Sequence, residues 1–175
     1  MNNFFLQGLQ HPFFTPAHLI TLLALAMLLG IHKRTHAIFA LPIFVIFALM
    51  GLLATRFYRP DLSFEVILLA VAALIGIIIA IKVTLPKMML FILASIIGIS
   101  IGLDSEVIII PGLKASTTYF NMLGTLLSVS FTLLITTLIS MTLNPLWNSI
   151  VLRILGSWAS ASSLMVLAFI FAPKA

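Results

Sequence analysis

Four histidines and four acids are the side chains here that could do acid–base or metal chemistry, and the sequence has no cysteine. Two of the histidines, His11 and His18, lie in the stretch LQHPFFTPAHL, each close to a proline, at the mouth of a long apolar run. The acids are Asp61, Glu65, Asp104 and Glu106. Imidazole and carboxylate together suit divalent cations such as nickel, cobalt or zinc, and histidine is also the usual proton carrier near neutral pH. His18 stands about a turn inside the apolar run. An ionisable group at membrane depth is costly, so His18 is the first functional candidate. His11, in the approach to that run, could face the same cavity.

Each of these residues also has a plain structural reading. Asp61 follows Arg59 closely enough for a loop ion pair. Glu65 falls at a helix start, where the helix dipole favours an acid without any function. Asp104 and Glu106 follow an apolar run and suit a solvated loop. His32 and His36 flank Lys33 and Arg34 and read as surface residues beside lipid headgroups. His18 itself could be a hydrogen-bonded structural histidine. A metal site usually needs three or four converging ligands, which spacing alone does not supply.

The elements that must position these side chains are membrane spans. Hydrophobic residues make up 62% of the 175 residues and charged residues 7%, with a mean hydropathy of +1.29. A soluble domain carries about 25% charged residues, so this chain cannot cover a water-facing surface, and lipid must be its solvent. The net charge of +5 does not indicate nucleic acid, because the nine Lys and Arg stand singly or in pairs between apolar runs. Without cysteine there are neither disulfides nor thiolate metal sites. The N-terminal MNNFFLQGLQH lacks the basic region of a signal peptide, so the first span is expected to stay in the mature protein.

A crossing helix needs about 20 apolar residues. Six runs qualify, roughly 14–31, 37–55, 64–83, 87–103, 118–142 and 146–172. The expectation is an all-α bundle of about six transmembrane helices, with residues 1–175 forming one transmembrane domain. The runs are continuously apolar rather than alternating, which excludes a membrane β-barrel. Short connections predict that spans three and four, and spans five and six, pack side by side as antiparallel hairpins. Residues 4–14 are too short to cross, and Pro12 and Pro16 predict a broken, interfacial or re-entrant approach to the first span. The apolar segment 107–113 predicts a second irregular piece.

Six spans put both termini on one side, with Arg56, Arg59, Lys114 and Lys174; the other side holds Lys33, Arg34, Lys82, Lys87 and Arg153. The excess of one cation orients the termini outwards, periplasmic for a bacterial inner-membrane protein. All four acids, with His11 and His18, then crowd the outer end of the bundle. Small residues four apart, Gly98 and Gly102 in one span and Gly156 and Ser160 in another, form faces that let helices approach closely. The hydroxyls of the Ser/Thr-rich fifth span could line a polar path or bond back to their own helix. The eight Met and fourteen Phe read as packing.

GLQHPFFTPAHLITLLALAMLLG resembles the first motif of the HupE/UreJ family, small membrane proteins regarded as nickel or cobalt permeases. That motif reads His-Pro, two residues, Gly, one residue, Asp-His, then an apolar helix. His11, Pro12 and His18 match it, while Thr15 replaces the glycine and Ala17 the aspartate. The family's second motif, His-Gly-x-Ala-His-Gly-x-Glu, is similar to IGISIGLD, where Gly98 and Gly102 match, Asp104 stands for the glutamate, and Ile97 and Ile101 replace the histidines. The closing span, with Arg153 followed by a Gly/Ala/Ser run, resembles the family's last helix. The resemblance implies a six-span scaffold, nickel or cobalt as transported ion, and a metal site of His11, His18 and Asp104. It also implies that three ligands are gone, since neither alanine nor isoleucine coordinates a metal.

Two functions follow as expectations. One is a permease for a divalent metal ion or another small solute, driven by a gradient, since no nucleotide-binding loop is present. The other is a non-transporting accessory or structural subunit of a larger membrane complex, or a homo-oligomer, docked through small-residue faces. An enzyme is not expected, because no carboxylate pair lies within a span and no Ser/His couple has a credible spacing.

Overall fold

The computed structural model describes residues 4–57, 64–105, 115–145 and 149–172. Asp61 and Glu106, the cations Arg59, Lys114 and Lys174, and the segment 107–113 lie outside them. The described residues form helices without strands: α1 (Phe4–Phe14), α2 (Pro16–Ile31), α3 (Arg34–Ala54), α4 (Phe64–Ala80), α5 (Lys87–Asp104), α6 (Ala115–Leu143) and α7 (Ile150–Phe171). Four of them, α3, α5, α6 and α7, are long and apolar enough to cross a membrane alone. The pair α1 and α2 qualifies as one span bent by 71°. At 17 residues, α4 reaches about 25 Å, near the lower limit for a crossing. Six spans fit this arrangement.

The approach segment departs from expectation in an informative way. Residues 4–14 are not broken at Pro12: α1 runs on to Phe14 with Pro12 buried in its last turn. Its missing N–H removes a single bond, the one to the carbonyl four residues back, and α1 absorbs that loss. The break falls at Thr15. Pro16 pushes the residue before it out of the helical region, and Thr15 has φ −108° and ψ 97°. Pro16 itself begins α2, the one place in a helix where a missing N–H costs nothing. The Thr15 hydroxyl turns back to donate to the His11 carbonyl at 3.2 Å, closing the end of α1.

The expected hairpins are not the principal packing units. α4 and α5 touch over a short stretch and α6 and α7 barely meet; the close pairs are α3 with α5, α4 with α7, and α1 with α6. Small residues decide this, because apolar side chains gain nothing by leaving lipid for one another, whereas backbones that approach closely gain dispersion contact. The Gly98/Gly102 face predicted from sequence meets α3: a Cβ on Gly102 would fall 2.4 Å from the Ala48 carbonyl oxygen. The Gly156/Ser160 face meets Gly76 of α4 in the same manner. A third such contact, Gly8 of α1 against Gly124's neighbourhood on α6, was not anticipated.

α2 sits inside this ring of pairs. It touches α4 and α6 most, and Leu22, Leu25, Leu28 and Leu29 are all buried at its core. The outward faces of the other helices carry large apolar side chains such as Phe39, Phe131, Trp158 and Phe169, as lipid requires. On α6 the hydroxyls of Thr125, Thr136, Ser140 and Thr142 bond back along their own helix, whereas those of Ser128, Ser130 and Thr137 are buried without a hydrogen-bond partner among the described residues.

Candidate functional site

The two prolines that shape the N-terminal corner also build the site. His11 is in the last turn of α1 and His18 in the first turn of α2. The 71° bend between them folds one ring onto the other, with centroids 5.5 Å apart in an edge-to-face arrangement. His18 is fully buried. Its Nε2 lies 2.8 Å from Oδ2 of Asp104, the last residue of α5, whose side chain is 19% exposed. The fold thus sets His11 against His18 and His18 against Asp104, two pairwise contacts at the same end of the bundle.

An acid at the C-terminal end of its own helix is disfavoured by the helix dipole. Asp104 is compensated by reaching the first turn of a different helix, where the dipole is positive and the His18 Nε2–H donates to it. α5 ends there because Ser105 leaves the helical region, its N–H and hydroxyl both donating to the Ile101 carbonyl, at 3.0 and 2.7 Å. His18 Nδ1, also buried, has no hydrogen-bond partner among the described residues. One turn further, the buried Thr21 hydroxyl lies 2.7 Å from the Ala17 carbonyl and 3.2 Å from that of Leu68, tying α2 to α4 beneath the histidine. Thr21 reads as one more apolar-run residue in sequence, and nothing there marks it.

Ala17, Ile97 and Ile101, where the resemblance implies ligands in the family, are equally defined. Ile97, Ile101 and Asp104 follow one another at helical spacing on a single face of α5. Ile97, Ile101 and Ala17 are each 1% exposed. All three positions are therefore closely packed apolar core, not idle surface. Glu65 is exposed in the first turn of α4, in keeping with its structural reading. Among the described residues no three His, Asp or Glu side chains gather tightly enough to enclose a metal ion by themselves.

At the opposite end, His32 is more than the surface residue its sequence neighbourhood suggests. Its Nδ1 lies 2.8 Å from the Leu28 carbonyl and its Nε2 accepts the Leu85 N–H at 2.9 Å. A carbonyl can only accept and an N–H only donate, so this pattern fixes the neutral tautomer with its proton on Nδ1. His32 thus ties the end of α2 to the loop between α4 and α5. His36 is half-buried with its ring centroid 6.5 Å from that of His32. At the end of the bundle that carries His18, Arg56, just past α3, donates to the Tyr119 hydroxyl of α6 and lies over its ring.

These features define an all-helical integral membrane protein in which a proline corner sets a histidine pair against an acid from a neighbouring span. The chain belongs to the HupE / UreJ protein family, whose pattern matches residues 1–166, and is accordingly a membrane protein related to nickel and cobalt transport. No curated protein and no solved structure matches it.

Proposed function

We propose that this protein is a permease of the HupE/UreJ type that passes a divalent cation, nickel or cobalt, through a site reduced to His11, His18 and Asp104. One observation carries the reading: His18 is fully buried with one ring nitrogen held by Asp104 and the other, Nδ1, left without a hydrogen-bond partner among the described residues. A buried polar atom left unbonded costs about 1–3 kcal/mol, and a ligand is one explanation for its retention. A histidine that gives one N–H to a carboxylate and offers its other nitrogen is also the usual way an imidazole is oriented towards a metal. In this arrangement Asp104 positions His18, and His11 stands at its edge as the second imidazole. The protein acts without covalent chemistry, in a bacterial inner membrane with its termini on the periplasmic side. Titration of the purified protein with nickel and cobalt tests the reading, with binding expected in the wild type and none in a variant lacking both histidines.

A second reading rests on Ala17, Ile97 and Ile101, which replace three family ligands and are packed into the core. A site with that interior suits a scaffold retained as an accessory subunit in a homo-oligomer or larger membrane complex. A partner that co-purifies in fixed ratio, together with unchanged function in His18→Ala, would favour it over the permease.

A further inference from the structure

The end of the bundle that carries His32 is strongly positive. Lys33, Arg34, Lys82, Lys87 and Arg153 are all exposed there. Four of the five stand at helix boundaries, where the bias of basic residues towards one membrane face accounts for them. Arg153 differs. It is the fourth residue of α7, and it lines an open cleft of ≈ 220 Å³ together with Ala80, Ile150, Ile154 and Ser157.

The guanidinium is held in place rather than trailing in solvent. Its Nε donates to the carbonyl of Ala80, at the end of α4, at 2.8 Å. That bond uses one of five donors and leaves the outer edge of the planar fork to meet a second acceptor. The Ser157 hydroxyl is turned onto the Arg153 carbonyl at 2.9 Å, so Arg153 alone supplies the polar recognition. Ile150 and Ile154 are about half exposed, at 50% and 49%, and offer an apolar wall beside the cation. α7 also starts without a side-chain cap, since the Ser149 hydroxyl lies against Asn144 Oδ1 at 2.6 Å instead. The positive end of that helix dipole adds to the same field.

A fixed guanidinium beside an apolar wall, at the interface end of a membrane helix, matches an ion with hydrocarbon attached to it. We propose that the α4/α7 cleft binds the phosphate headgroup of an anionic phospholipid through Arg153, with the first part of an acyl chain against Ile150 and Ile154. This site is separate from the histidine site and does not depend on what the protein transports.

The test is lipid retention by the intact protein in non-denaturing detergent, read by native mass spectrometry with phosphatidylglycerol or phosphatidylcholine added. The wild type should prefer phosphatidylglycerol by roughly fivefold, the effect of one basic residue near an anionic headgroup. Arg153→Gln should abolish that preference, and Ser157→Phe, which fills the cleft and keeps the arginine, should abolish it too. Lys33→Gln should leave it intact. Circular dichroism confirms that each variant is folded, and Ser157→Phe decides the matter where Arg153→Gln is not. An unchanged preference in Ser157→Phe or in a folded Arg153→Gln overturns the proposal, as does an equal loss in Lys33→Gln, which would mean diffuse surface attraction. Displacement of the lipid by inorganic phosphate, which carries no acyl chain, would also overturn it.

Discussion

Replacing Gly102 by alanine should loosen the α3–α5 contact and the histidine site together. The added Cβ would lie 2.4 Å from the Ala48 carbonyl oxygen and 2.8 Å from both Gly51 Cα and Leu52 N. All three are backbone atoms, so no side chain can swing aside. Restoring ordinary contact at 3.4 Å moves the two helices apart by 3.4 − 2.4, or about 1 Å. A gap of that size forfeits about a third of the dispersion energy across the interface. With on the order of 50 atom pairs at ~0.15 kcal/mol each, the loss is about 2–3 kcal/mol. Alanine returns about 1 kcal/mol through its higher helix propensity, leaving a net cost of about 1–2 kcal/mol. Thermal unfolding in detergent should then fall by about 3–6 °C. The same shift exceeds the slack in the His18–Asp104 hydrogen bond, which is 2.8 Å long against a limit of about 3.5 Å. The 15N resonances of the His18 ring should therefore change as well. A Gly102→Ala protein that melts at or above the wild-type temperature, with His18 unaltered, would refute the close-packing argument.

Three further outcomes follow from the geometry. His18→Ala leaves the Asp104 carboxylate without its buried donor and should destabilise the protein by about 2–3 kcal/mol, whereas Asp104→Asn keeps an acceptor for Nε2–H and should cost about 1 kcal/mol or less, both read by denaturant or thermal unfolding. His32→Ala strands the Leu85 N–H and should cost about 1–2 kcal/mol, with faster amide exchange at Leu85 as the local signature. Tyr119→Phe keeps the ring beneath Arg56 and loses only an exposed hydrogen bond, so its stability should stay within about 0.5 kcal/mol of wild type.

The sequence made the spans legible because lipid imposes one strong rule, a run of apolar residues about 20 long. Span parity alone sends α2's start and α5's end to one face, where the His18–Asp104 hydrogen bond forms. Packing partners were less legible. Chain proximity suggested hairpins, yet the neighbours were chosen by where glycines face glycines, as with Gly51 and Gly102. The Gly98/Gly102 spacing announced a close contact without naming its partner. Pro12 and Pro16 look equivalent in sequence, yet only the second breaks the chain, at Thr15. Lys33 and Arg34 make His32 read as a solvent-facing residue, while its partner, Leu85, lies 53 residues away in sequence.

The central claim is that His11 and His18 still serve a cation. Titration calorimetry with nickel, cobalt and zinc on the purified protein, beside a His11→Ala/His18→Ala variant, tests it most directly. Micromolar binding of nickel or cobalt to the wild type, absent from the variant, is the expected result. Heat of binding that is absent from both, or identical in both, would contradict it and leave the scaffold with a role other than metal transport.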